Sequence, residues 1–421
     1  MNNQTNKLIP ELRFPEFVNE GEWKEKILNE ITSSIFDGTH QTPKYTENGI
    51  PFFSVENLIS GNKNKFISKE DYIIATNKNK PEKFDILITR IGNIGFSKII
   101  DWDYEFSIYV TLAVIKKSKE FNSYYLHSFI QSDFYQTEIK SKSLLNATPC
   151  KINMDELRKT KVLLPPDKEH KEQQKIASCL SSLDELLTSH SDKLETLKTY
   201  KKGLMQNLFP APPPLEGAGG RKVPKLRFKE FEKDGEWKET KLGDKEVSTF
   251  VNDKISIANL QLVNYISTEN MLSDFAGISK ASKVPSIGSF TKFIKGDILI
   301  SNIRPYLKKV WKANMEGGSS NDVLVFRAGS EVLSEYLEFI LKNDAFIDYV
   351  MKSVQGVKMP RGNKDSMKEY SVMISSKKEQ QKIADTLSSL DELIKEQSNK
   401  IEQLKLHKKG LMQGLFPKVK N

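Results

Sequence analysis

Short polar loops carry the residues best suited to chemistry in this chain. Residues 37–45 read DGTHQTPKY: Thr39, His40, Gln41 and Thr42 present small donors and acceptors on a turn-prone backbone, and Lys44 is placed to meet a phosphate. Residues 89–95, TRIGNIG, place Arg90 and Asn93 at the end of an apolar run, among glycines that permit close backbone approach. A later loop, NATPCKIN at 146–153, adds Lys151. The second half of the chain offers counterparts. NIRPYLKK at 302–309 carries Asn302, Arg304, Tyr306, Lys308 and Lys309, and KMPRGNK at 358–364 carries Lys358, Arg361 and Lys364. Arginine can grip guanine at two positions, and asparagine or glutamine can do the same for adenine. Any one of these loops could be ordinary solvated surface. Basic loops recurring at corresponding places in both halves argue for contact with nucleic acid.

Catalytic patterns are missing. The sequence has no GxxxxGK[ST] phosphate loop, no HExxH, no glycine-rich dinucleotide fingerprint and no Asn-Pro-Pro-aromatic motif. Pro166 and Asp167 with Glu169 and Lys171 faintly suggest a nuclease metal motif. They stand just before a helix, where acidic residues are favoured by the dipole, so the structural reading is preferred. His40 has no nucleophile or paired carboxylate at recognisable spacing, which favours binding over catalysis. No metal site is expected.

Composition sets the frame for these loops. A 421-residue chain with 38% hydrophobic and 28% charged residues implies at least two soluble domains. A net charge of +9 favours phosphate-rich partners, although a basic surface without a partner is the plain alternative. Only Cys150 and Cys179 occur, at unrelated spacing, so neither a disulfide framework nor a zinc site is written, and a reducing, cytoplasmic setting is expected. No apolar run approaches the ~20 residues of a membrane span.

The elements that position the loops occur twice. Residues 10–25, PELRFPEFVNEGEWKE, match 224–239, PKLRFKEFEKDGEWKE; the shared letters include Arg13/Arg227, Phe14/Phe228 and Trp23/Trp237. The recurring tryptophans suit packing. KFDILITRI at 83–91 matches KGDILISNI at 295–303, and residues 172–210 align without gaps to 379–417, both running EQQKIA…KKGLMQ.LFP. The first half predicts strands at 50–55, 85–90, 96–100 and 111–115, with helices at 123–140 and 155–159. The second predicts strands at 262–266, 297–302, 310–312 and 323–327, with one helix at 331–351.

Each half ends in a long helix. Ile176, Leu180, Leu183, Leu187, Leu194 and Leu197 in the first, and Ile383, Leu387, Leu390, Ile394, Ile401 and Leu404 in the second, fall at alternating spacings of four and three. Continued through Leu204/Leu208 and Leu411/Leu415, this is an a/d seam over about five heptads. Its polar interruptions, His190 and Lys201 or Gln397 and Lys408, would fix register. Each seam needs a partner. The Pro/Gly connection APPPLEGAGG leads into the second globular part, so the two helices should pair antiparallel and hold two heads apart. The alternative is that each helix packs on its own domain.

The repeated LRF…GEWKE segment, the DILI run and the EQQKIA…KKGLMQ.LFP helix together resemble the specificity (S) subunit of type I restriction–modification enzymes. GTHQTPKY…GIPF at 38–53 is similar to a pattern in one class of that family's target-recognition domains. The resemblance covers almost the whole chain. It implies an α+β fold with an internal pseudo-twofold repeat: target-recognition domain 1 at 1–167, spacer helix 1 at 168–209, a linker at 210–223, domain 2 at 224–376, spacer helix 2 at 377–417 and a tail at 418–421. Each domain would read half of a split, non-palindromic site on double-stranded DNA. The helices would dock methyltransferase (M) subunits, with restriction (R) subunits joining through those. No cofactor is expected in this chain: S-adenosylmethionine would belong to the methyltransferase, which methylates adenine N6, and ATP and Mg to the restriction partner. The competing reading is a coiled-coil adaptor whose heads bind other proteins.

Overall fold

The computed structural model describes residues 7–166, 169–210, 222–354, 356 and 358–418. Asp167 and all but the ends of the expected linker lie outside these. The chain forms two compact units: Met1–Ser191 with Asn399–Asn421, and Asp192–Ser398. Each unit therefore holds one head, the first part of that head's own long helix and the last part of the other.

Each head is built on an antiparallel four-stranded sheet. In the first the order is Ile35–Asp37, Leu112–Ile115, Ile86–Thr89, Ser97–Ile99; in the second it is Ser248–Phe250, Val323–Ala328, Ile298–Ser301, Val310–Lys312. The DILI runs supply Ile86–Thr89 and Ile298–Ser301, central strands in which every residue is buried. A strand covered on both faces takes apolar residues in succession, here Ile86–Ile88 and Ile298–Ile300, which is why alternation is missing there. The acid before each run is buried too. Asp85 accepts from the backbone N–H groups of Glu82 and Lys117 and from Lys116 Nζ. Asp297 accepts from Ile294 N–H and from Arg327 Nε and Nη2, both at 2.8 Å. An unpaired carboxylate at either place would be strongly unfavourable. A smaller sheet flanks each main one, with order Phe66–Ile67, Ile50–Phe53, Ser107–Ile108 in the first head and Lys254–Ile255, Phe290–Phe293, Gly317–Ser319, Tyr265–Ile266 in the second.

The repeated opening segment ties each head to its helix. Lys24–Ile27 pairs with Lys161–Leu164, and Lys238–Lys241 with Ser371–Ile374, the strands just before the long helices. Arg13 reaches both carboxylate oxygens of Glu172 at 2.8 Å, and Arg227 reaches those of Glu379 at 2.8 and 2.9 Å. Trp23 and Trp237 are buried in the two main cores. Leu12 N–H donates to Gly414 O and Leu226 N–H to Asn207 O, so each opening segment also caps the end of the other helix.

The regions expected as single helices at 123–140 and 331–351 are each two: Ser123–Ile130 with Asp133–Ser141, and Ser334–Leu341 with Asp344–Lys352. Ser132 and Asn343 cap the second member of each pair, accepting from backbone N–H groups of Tyr135 and Ala345, so the side chain competes with helix continuation.

The long helices are Lys171–Asn207 and Lys377–Leu415. Their first turns pack on their own heads, through Ile176, Ala177 and Leu180 or Ile383, Ala384 and Leu387. The same cores take in the far end of the other helix, Leu415 with Phe416 in one unit and Met205 with Leu208 in the other. Within each unit the segments therefore run antiparallel. Ile176, Leu180, Ile383, Leu387, Leu390, Ile401 and Leu404 are buried, and Leu183, Leu187, Leu194, Leu197 and Ile394 half-buried. Lys408 Nζ meets Asp184 at 2.5 Å in the first unit, and Lys201 Nζ meets Asp391 at 2.5 Å in the second. These four residues occupy equivalent places in the two copies, so one ion pair repeats the other. A lysine in the seam thereby sets register.

Candidate nucleic-acid interface

In the first head, one buried arginine gathers the loops. Arg90 is 7% exposed. Its Nη1 meets Asp37 Oδ2 at 3.1 Å and donates to Val110 O at 2.9 Å, while Nε donates to Ile152 O at 3.3 Å. Burial pushes this guanidinium below its ordinary value, partly offset by the Asp37 charge. Arg90 thus joins residues 37–45, the 109–111 turn and residues 146–153, three separate stretches of sequence. With Nε and Nη1 bonded to the protein, Arg90 braces the loops, a role that stands beside the direct contact expected of it. Gly92 N–H donates to Cys150 O at 2.8 Å, which draws the TRIGNIG turn onto the same cluster. Gly38 cannot be replaced there: a Cβ would stand 2.0 Å from Ile108 O.

Around this brace, His40, Gln41, Thr42, Lys44, Asn93 and Lys151 are exposed. His40 Nε2 lies 3.2 Å from Asp37 Oδ2, and Thr42 Oγ1 lies 3.4 Å from the Tyr109 hydroxyl. Thr39 is held by its backbone, donating to Ile108 O and accepting from Val110 N–H, and its Oγ1 is buried without a hydrogen-bond partner among the described residues. Lys151 is pinned by backbone bridges to Ile91 and Leu144, which leaves its side chain at the surface.

The second head repeats the layout with different letters. Ile303 bridges Arg361 as Ile91 bridges Lys151. Asn302 stands where Arg90 stands: Gly362 N–H donates to its carbonyl as Ile152 N–H donates to that of Arg90. Asn302 is 8% exposed and its Oδ1 has no partner among the described residues, so it too lines the base of the site. Buried polar atoms without partners are rare in folded proteins and mark places to look for function. Arg361 Nη1 meets Asp322 at 3.0 Å. Lys308 Nζ is held by Asp344 at 2.6 Å and Lys309 Nζ by Thr268 O at 2.7 Å, so both are partly committed within the head. Arg304, Tyr306, Lys358 and Lys364 are exposed. Arg304 and Lys308 sit at φ 50° and 53°, a left-handed conformation that side chains avoid and that clusters at functional sites.

Some residues at these sites escaped the sequence reading. Tyr109, Val110 and Thr111 close the first site, and Ser320 and Asp322 the second, each just before a main-sheet strand. The polar run GGSSND ahead of the 323–328 strand was the available signal. A matched turn was also overlooked: Ser54 N–H and Ser267 N–H each donate to the side chain of an asparagine three residues on, Asn57 and Asn270. The signal there was the repeated Ser-x-Glu-Asn. Among the described residues no cluster of His, Cys, Asp or Glu could hold a metal ion. No helix among them is long and apolar enough to cross a membrane.

This arrangement is a pair of non-identical polar sites on a duplicated frame. The type I restriction modification DNA specificity domain matches residues 20–199 and again 235–405. The chain belongs to that family, and it is a type I restriction–modification specificity subunit carrying the domain twice. It is 24% identical over 403 residues to the type I restriction enzyme MjaVIII specificity subunit of Methanocaldococcus jannaschii, covering 88% of this chain and 87% of that one. The S subunit of a type I restriction–modification system from M. genitalium shares the fold, with a TM-score of 0.62 at 17% identity over 98% of this chain and 100% of that one. A chain from a type I R-M system assembly gives 0.54 at 13% identity, covering 94% and 97%.

Proposed function

We propose that each head reads one half of a bipartite, non-palindromic site on double-stranded DNA, and that the paired helices space the heads and dock methyltransferase subunits. The observation that carries this is the contrast between frame and site. The Arg13–Glu172 and Arg227–Glu379 ties, the DILI strands and the Lys408–Asp184 and Lys201–Asp391 pairs repeat. The site loops keep their backbone bridges yet exchange Arg90 for Asn302 and Lys151 for Arg361. A scaffold copied with its contact residues changed suits two unlike half-sites. Exposed cations without an ion pair among the described residues, Lys44 and Lys151 in one head and Arg304, Lys358 and Lys364 in the other, are available for phosphates or guanine. Each long helix, at ~1.5 Å per residue, is roughly 55 Å long, more than the ~34 Å of one DNA turn. In this reading adenine-N6 methylation, with S-adenosylmethionine, and cleavage, with ATP and Mg, belong to the methyltransferase and restriction partners in the cytoplasm.

The test is modular exchange. Residues 26–165 are replaced by the equivalent segment of another family member, and the methylated motif is read in cells that also supply the methyltransferase. One half of the motif should change and the other persist. A change in both halves, or in neither, rejects the modular reading.

A further inference from the structure

The most exposed large apolar side chain of the described residues lies two residues beyond Pro285, on a loop of the second head that reaches toward Asp322. Ile287 is 88% exposed, on the connection between the Ser267–Asn270 turn and the central strand. A lone exposed isoleucine is ordinary surface by itself, and it is the charge around this one that singles it out. Residues 275–296 hold four lysines, 280, 283, 292 and 295, and no acidic residue at all. Lys280 and Lys283 are exposed, without an ion pair among the described residues, and line a polar cavity of about 390 Å³ whose other wall includes Glu269, Ser320 and Asp322. Asp322 is the residue that holds Arg361. The loop is therefore continuous with the reading site.

An apolar tip on a strongly basic arm is what a wedge into stacked bases requires. The lysines hold the phosphates on either side, and the branched side chain enters between base pairs where a polar one would be unpaired. The corresponding connection of the first head also exposes an isoleucine, Ile74 at 75%. There it stands on the helix Lys69–Thr76 with Glu70 and Asp71 one turn back, and the nearby Lys65, Lys69 and Lys80 are held by Glu56 and Glu105 rather than left for a polyanion. Resting on the DNA-reading role given above, we propose that Ile287 is an apolar wedge of the second head alone, unstacking one base step in or beside that head's half-site while Lys280 and Lys283 clamp the flanking phosphates.

The test uses the full chain assembled with its methyltransferase and duplexes carrying its methylated motif, with 2-aminopurine moved step by step through and beside the second half-site. Wild-type protein should raise the fluorescence at one step. I287S should abolish that rise and weaken binding roughly five- to tenfold, the scale of one lost apolar contact, with an unchanged melting temperature. K280A/K283A should flatten the dependence of log affinity on log salt by about two. Site-specific binding by wild-type protein with no fluorescence rise at any step overturns the wedge while leaving the reading role intact. So does I287S behaving as wild type, or I287S losing the methyltransferase but not the DNA, which would make Ile287 a protein contact. Absence of any site-specific binding by the wild-type assembly would instead reject the reading role itself.

Discussion

Replacing Arg90 by alanine separates bracing from reading. The side chains of Arg90 and Asp37 are 9% and 21% exposed, so the pair is largely desolvated. Removing one partner of a buried pair costs about 3–5 kcal/mol. Asp37 keeps some water and has His40 beside it, which places the loss near the lower end, about 3 kcal/mol. The carbonyls of Val110 and Ile152 lose a donor as well, which adds about 1 kcal/mol each where water cannot replace it. Those groups lie on three different loops, so the loss falls on the order of the site, and affinity for the first half-site should drop by roughly a hundredfold. The assay is competition binding with three duplexes: both halves intact, the first scrambled, the second scrambled. R90A should lose discrimination against the first scrambled half and retain it against the second, and its unit should melt earlier. The D37N change made in the R90A background should then cost little more, since the pair is already broken. Full discrimination by R90A would refute the brace. Lost discrimination with no change in melting, and no coupling to Asp37, would mean that Arg90 touches a base itself.

Other consequences are as specific. Lys201→Glu places two acids together in the second unit and should destabilise by about 1 kcal/mol, the pair being partly exposed. Adding Asp391→Lys should restore the loss, and a double variant no better than the single one contradicts the assigned register. His127 is half-buried, with Ser97 Oγ 3.0 Å from Nδ1 and Gln131 Nε2 2.9 Å from Nε2. Burial holds it down at about 4, against a weaker upward pull from Asp184 and a downward push from Lys408. The unfolded chain takes up this proton near pH 6.5 and the folded one only near 4, so stability present above 6.5 declines as pH falls through that window, by up to about 3 kcal/mol. Denaturant titrations of wild type and His127→Gln between pH 7.5 and 4 should diverge accordingly; parallel curves exclude the argument. Gly38→Ala should collapse the first site, because its Cβ would overlap Ile108 O, whereas Gly203→Ala, with nothing within 4 Å, should raise stability by about 1 kcal/mol. Thermal melts with half-site binding read both, and equal effects of the two would be inconsistent with the packing.

The frame was legible because its signals are local or periodic. The seam from Ile176 to Leu208 is visible as spacing alone, and the blocks around Trp23, Ile86 and Glu172 are visible because a second copy stands beside them. Burial of Arg90 and Asn302 was not legible. An arginine after an apolar strand looks alike whether it faces solvent or Asp37, and only the fold brings residues 37, 110 and 152 around it. Lys308 and Lys309 share that ambiguity, since their acceptors, Asp344 and the Thr268 carbonyl, are remote in sequence. The split at Ser132 and Asn343 was readable in principle, as a capping residue followed by an acid. The strong helical pattern on either side concealed it.

Two unlike heads should read two unlike half-sites, and base-resolution sequencing of methylated DNA from cells expressing this chain with its methyltransferase tests this. The expected result is one motif with two specified blocks of different sequence, separated by a fixed run of unspecified bases. A single contiguous motif, a palindromic one, or no motif that depends on this chain would contradict it.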